Sequence, residues 1–349
     1  MARGDVGGGK PLGASVGFGQ RLIPPVVAAA LTALSNRASL TASRRLPGQQ
    51  IAWERVVPDK KLIIEVRINE YEMREANPHV PWTAQEIAAD AAACRDAGAS
   101  IVHFHARAPD GAPAFGEEAY REVIGEIRGH SDILIHSTLG GPDRIASAED
   151  RVAHIIALTE AGYRPDFAPL DMGTTNIDAV DLATSQFRSD ENTYVNTTKT
   201  LRYFAETLNR LHIKPDMQIW NIPMLRWAEA FYRAGFVSAP LWLNFGLSGG
   251  GYMAAHPPTM RGLRAFLDFL PADIPSEWIV TLGWQSILPI TDAIVAEGGH
   301  IAIGLGDYHF QELGQPDNAE LVRRVAAIAA DVGREVATPA ETKAMLAIA

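Results

Sequence analysis

Residues 83–107 read TAQEIAADAAACRDAGASIVHFHAR, and this stretch decides the fold. Thr83 and Glu86 form a capping-box pattern, in which hydroxyl and carboxylate satisfy free N–H groups at a helix start. The alanine-rich run that follows predicts a helix from Thr83 to about Ala97, stopped at Gly98. Ile101 and Val102 then begin a buried strand, so a helix feeds directly into a strand. His103 and His105 stand two apart on that strand, and side chains two apart share one face. Two imidazoles on one face can hold a divalent metal ion. A pair of core or surface histidines without metal is the bland alternative, and spacing alone does not name the metal.

The same alternation continues along the chain. From Lys61 onward eight apolar runs predict strands: Leu62–Ile68, Ile101–Ala106, Ile133–Ser137, Phe167–Asp171, Met217–Trp220, Leu241–Phe245, Trp278–Leu282 and Ile301–Leu305. Helical patterns lie between them, with a second capping pattern at Ser147 and Asp150 and a stop at Gly162. Strands alternating with helices imply parallel pairing with crossovers. Eight such units predict an α/β fold, a (β/α)8 TIM barrel, ahead of a doubly wound open sheet. Thr193–Thr197 reads as a short extra strand in an enlarged loop.

Barrel active sites sit at the C-terminal ends of the strands. That rule selects Asn69, Glu70, His103, His105, Ser137, Thr138, Asp171, Asn221, Ser248, Trp284 and Asp307. Histidines, acids and hydroxyls at these ends suit metal-assisted acid–base chemistry. His136, next to Ser137, is expected to point away from the site. Gly246–Gly251 could cradle a phosphate, although turn glycines in a flexible loop explain it better. Asn221-Ile-Pro223 is expected to open a helix.

Composition narrows the classes further. The chain has 349 residues, 47% of them hydrophobic, and a formal net charge of −10. No basic stripe appears, so nucleic acid is not an expected partner. No run reaches the roughly 18 apolar residues of a membrane span. Leu22–Leu34 is apolar but short, and a glycine-rich lead precedes it. Cys94 is the single cysteine, so no intramolecular disulfide forms; a cytoplasmic location is expected. Residues 1–58 read as an N-terminal extension, flexible or an oligomer arm, and 59–349 as a single catalytic barrel.

Several runs, taken in order, carry a family resemblance. They are NPHVPWTAQEIAADAAACRDAGASIVHFHARAPDG, STLGG, LDMGTTN, YVNTTKTL, GGHIAIGLGD and NAELVRRVAAIAADVGREVATP. From about Lys61 to Ala349 the chain resembles the beta-keto acid cleavage enzymes, of the 3-keto-5-aminohexanoate cleavage type. The resemblance implies a TIM barrel, a bound divalent metal (zinc), and a homo-oligomer. It implies a carbon–carbon cleaving acyltransferase acting on a β-keto acid and acetyl-CoA, giving acetoacetyl-CoA and a CoA ester of the shortened product. His103 and His105 match the metal-binding histidines. Ser137 matches a substrate-contacting serine, with Leu139 as an extra residue, and Asp307 matches a catalytic aspartate. Glu70 matches a glutamate after the first strand, with Glu72 as the competing choice.

Four positions depart from the pattern. Gly306 stands where the third metal ligand, a glutamate, is expected, and Ala302 where the network's arginine is expected. Pro169 replaces a threonine, and Gly283-Trp284-Gln285 replaces a GRHQ region. Arg67, sharing a strand face with Glu65 and Asn69, is a candidate cation for Asp307 or a buried structural ion pair. Glu70, Asp307, His309 and Glu65 are the candidate third ligands.

Overall fold

The computed structural model describes residues 59–70, 72–139 and 146–348. The extension 1–58 lies outside the described residues.

Eight parallel strands close into a barrel. In chain order they are β1 (Ile64–Arg67), β2 (Ile101–His103), β3 (Leu134–His136) and β4 (Phe167–Pro169), followed after an excursion by β9 (Lys214–Ile219), β10 (Leu241–Ser248), β11 (Ser276–Gly283) and β12 (His300–Ile303). All eight expected strands are present, and β1 closes the ring between β12 and β2. The excursion holds β5 (Thr175–Asn176), β6 (Val180–Asp181), β7 (Gln186–Phe187) and β8 (Thr193–Tyr194). β5 pairs with β8 and β6 with β7, both antiparallel. The expected strand at 193–197 is therefore real but only two residues long, and the β6–β7 hairpin beside it is new.

The helix after β1 runs Ala84–Ala97 with Thr83 as its N-cap, a complete capping box, and Gly98 left-handed at its end. Ser147 and Asp150 cap the helix Ala148–Glu160 in the same way. Helices pack outside the barrel because strands buried on both faces present apolar side chains outward as well as inward.

The barrel interior is layered. Ile63, Ile101, Leu134, Phe167, Trp242, Ile279 and Ala302 form an apolar floor, closed from below by Ala337 and Leu346. Residues two further along each strand face the same way. That rule puts Glu65, His103, His136, Asp216, Asn244 and Thr281 in a polar layer, all buried. Above it come Arg67, His105, Thr138, Asp171, Gln218 and the glycines 246, 283 and 306, all on the wall of an open cavity.

Candidate active site and metal centre

The cavity at the C-terminal end of the strands has a volume of about 330 Å³, within the range of small-molecule sites. Most of the strand-end residues selected from sequence reach it: Glu70, His103, His105, Thr138, Asp171, Trp284 and Asp307 line the wall. Three do not. Asn69 is fully buried, Asn221 caps the next helix by accepting from Met224 N at 3.1 Å, and the Ser248 hydroxyl donates to Tyr252 O at 2.9 Å.

At the base of the cavity the Glu70 carboxylate spans the histidine pair. Its Oε1 lies 3.1 Å from His103 Nε2 and its Oε2 3.0 Å from His105 Nε2. The three side chains form one compact cluster of donor atoms able to hold a metal ion. Glu72, the competing choice, lines the same cavity but does not join this cluster. His309 is half-buried, accepting at Nδ1 from Gln311 N, and Glu65 lies one layer down. The carboxylate beside the histidines thus comes from the neighbouring strand end and not from position 306. A Cβ at 306 would lie 2.6 Å from Glu70 Cγ, so a side chain there would compete with Glu70 for space.

Protonation states fit a cation. Burial lowers the His103 pKa to about 4, which keeps the imidazole neutral. Its Nδ1 sits 3.1 Å from His136 O, which fixes the proton there and leaves Nε2 as the donor atom. Burial works against the Glu70 charge, but Arg67, His103 and His105 outweigh it and hold the carboxyl well below its ordinary value. Histidine nitrogens together with an ionised carboxylate are a common set for zinc and related divalent ions.

Arg67 stands at the centre of the charges. Nε is 3.0 Å from Asp307 Oδ1, NH1 is 3.5 Å from Glu65 Oε1, and NH2 binds Glu70 Oε1. It therefore fills both roles considered for it, partner of Asp307 and buried ion-pair cation. Burial raises Asp307 to about 8, with Glu70 and Glu65 adding to the rise and Arg67 opposing it. Such a group exchanges a proton near neutral pH.

Two expectations are corrected here. Ser137 is fully buried and does not line the cavity, whereas Thr138 does. His136 points into the barrel, with Nδ1 3.2 Å from Glu65 Oε1. Both errors share one cause: the inward face of β3 is carried by Leu134, His136 and Thr138. In the run HSTLGG the serine sits one residue out of phase with that face. The polar layer continues from His136 through Asp216, Asn244 (3.3 Å) and Thr281 (2.6 Å). Burial raises Asp216 to about 7, and the carboxylates of Glu65 and Asp216 outweigh burial to raise His136.

Sequence reading also missed the outer wall. Tyr194 donates to Asp171 Oδ2 at 2.8 Å and Trp220 Nε1 to Asp171 Oδ1 at 3.4 Å. Arg151 supports Tyr194 at 2.9 Å and Asn196 at 2.8 Å. Tyr252 stacks on Trp284, with centroids 3.9 Å apart. In the glycine loop, a Cβ on Gly251 would meet Val180 O at 1.9 Å, so that glycine serves the approach of the β6–β7 hairpin. Cys94 is buried in the helix Ala84–Ala97. No helix among the described residues is long and apolar enough to cross a membrane.

Comparison with known proteins bears on the family and the fold. The family model described as beta-keto acid cleavage enzyme matches residues 61–348. The 3-keto-5-aminohexanoate cleavage enzyme of Fusobacterium nucleatum is 32% identical over 293 residues, covering 83% of this chain and 98% of that protein. The 3-dehydrocarnitine:acetyl-CoA trimethylamine transferase of Rhizobium meliloti is 27% identical over 292 residues, covering 77% and 90%. Among solved structures, apo ObcA superposes with a TM-score of 0.63 at 16% identity, covering 78% of this chain and 66% of that one, a likeness of fold.

Proposed function

Because the chain belongs to the beta-keto acid cleavage enzyme family, we propose that its cavity is where a β-keto acid is cleaved against acetyl-CoA, with Glu70, His103 and His105 holding a divalent metal, zinc by preference. The observation that carries the reading is the Glu70 carboxylate spanning both Nε2 atoms beside an Arg67–Asp307 ion pair. A metal held there supplies a Lewis acid that draws electron density from the substrate carbonyls.

The chain's own residues handle the proton and the charge. Asp307 takes a proton from C2 of the keto acid, and Arg67 beside it steadies the negative charge during transfer. The C2 carbanion attacks the acetyl carbonyl of acetyl-CoA and expels CoA thiolate. The thiolate adds to the C3 ketone, the C2–C3 bond breaks, and C2 regains a proton from Asp307. One CoA enters, so only one product can carry it. The balance gives the acyl-CoA of the shortened chain and free acetoacetate, which corrects the two CoA esters expected from the resemblance. Thr138, on the wall where Ser137 was expected, is placed to hydrogen-bond substrate.

Glu72 and Asp171 also line the cavity, and Arg67, its one lysine or arginine among the described residues, is already engaged by carboxylates. This favours a keto acid whose far end is neutral or cationic over a dicarboxylate. A homo-oligomer in the cytoplasm completes the proposal, as the resemblance implies.

The test incubates metal-loaded protein with acetyl-CoA and 3-oxo acids ending in cationic, neutral and anionic groups, and follows acyl-CoA and acetoacetate by mass spectrometry. Turnover that disappears with a chelator and in His105→Ala supports the reading. Full metal occupancy with no acyl-CoA across the panel sinks it.

A further inference from the structure

Glu70 does not reach the histidines from a regular strand. It lies in the turn after β1 with φ +35°, a left-handed backbone that a residue with a side chain rarely adopts. Such a conformation persists only where its surroundings enforce it. Two buried side chains hold this turn, one reaching in from beyond the histidine strand and one from the turn itself.

Arg107 is the first. It lies two residues beyond His105 and is 8% exposed. Its NH2 donates to three carbonyls of the turn: Asn69 O at 2.7 Å, Glu70 O, and Glu72 O at 3.1 Å. NH1 donates to Gly111 O at 2.7 Å, anchoring the guanidinium on its own loop. Three carbonyl dipoles aimed at one point repel one another unless a cation sits at the focus. Asn69 is the second. Its Oδ1 accepts from His105 N at 2.9 Å and its Nδ2 donates to His105 O at 3.0 Å, so one side chain grips both polar groups of the His105 backbone. A third bond, from the same Nδ2 to Pro81 O at 3.0 Å, ties in the start of the next helix.

We propose that Arg107 is a positioning residue that holds the left-handed turn of Glu70, with Asn69 fixing its register against His105, so that the carboxylate spans both imidazoles before a metal arrives. The inference rests on the reading of Glu70, His103 and His105 as the metal site. Arg107 touches the backbone of the turn and none of the three donor side chains, so its removal is expected to act through the placement of Glu70.

A double-mutant cycle on metal affinity tests this. Zn2+ affinity is measured by competition with a chromophoric chelator for the full-length wild type, Arg107→Met, Glu70→Ala and the double variant, each checked for folding by circular dichroism. Arg107→Met is expected to weaken Zn2+ binding about ten- to a hundredfold, the range for partners behind a ligand. In the Glu70→Ala background it is expected to add little. Arg107→Lys, which keeps the charge at the focus, recovers part of the loss and covers the case in which Arg107→Met fails to fold. Cobalt substitution adds a spectroscopic readout: the visible bands of Arg107→Met move toward those of Glu70→Ala. Equal losses in both backgrounds, or unchanged affinity in folded Arg107→Met and Arg107→Lys, overturn the proposal. A wild type that binds no Zn2+ overturns the site reading and this inference together, whereas tight binding with an additive cycle overturns this inference alone.

Discussion

A carboxylate that touches two imidazoles and a guanidinium leaves little freedom for substitution. Glu70→Gln keeps the size and loses the charge, and we expect it to weaken Zn2+ binding by about a hundredfold or more, above the loss from a supporting residue. Gly306→Ala probes the same volume from the other side. Its new Cβ lies 2.6 Å from Glu70 Cγ and 2.9 Å from Glu70 N, so it displaces the carboxylate and lowers Zn2+ affinity. Gly283→Ala, also on the wall but with open space around its Cβ, serves as the control and should bind metal normally. Asp307 gives a pH signature in metal-free protein. Burial, first, raises its pKa to about 8 from the ordinary 3.8. A raised folded-state pKa means that the folded chain holds the proton more tightly than the unfolded one. Its contribution to stability is then full below about pH 4 and lost as pH rises through about 8. Urea melts of metal-free wild type should fall relative to Asp307→Asn between pH 6 and pH 9; parallel curves would count against the protonated carboxyl.

The strands and helices were legible because their signals are redundant: apolar runs recur in alternation, and several are bracketed by a cap or a stop, as at Thr83, Gly98 and Ser147. The phase of β3 was not. Leu134 points inward and Ile135 packs outward, both are buried, and apolar residues on both faces erase the alternation that tells inside from outside. That is why His136 was placed outside and Ser137 inside. The pairs β5–β8 and β6–β7 are two residues per strand, too short to carry any period. The site was half legible. The histidine pair, Asp307 and Glu70 all follow from strand ends, but the choice of Glu70 over Glu72, His309 and Glu65 as the acid beside the histidines needed the backbone turn that brings it back over the barrel. At this scale the floor offers a test. Leu346 is fully buried at the closed end, after the helix Pro339–Met345. Leu346→Ala is expected to cost about 2–5 kcal/mol of stability in a chemical melt while leaving Zn2+ affinity unchanged.

At the scale of the whole molecule, the eight described strands close into a ring through β12, β1 and β2. A chain beginning at residue 59 is therefore expected to fold, bind one Zn2+ and turn over at the rate of the full chain. Insolubility or a lost oligomer in the truncated chain would instead give the extension a role in assembly. The pairing of Glu70 with Gly306 also bears on how sequences are sorted. A survey that scores one alignment column for an acid finds glycine just after β12 here and discards the chain as a lapsed enzyme. The acid stands one strand over, in the space that this glycine vacates. Surveys of barrel enzymes would do better to score whether any adjacent strand can deliver the missing atoms to a shared point.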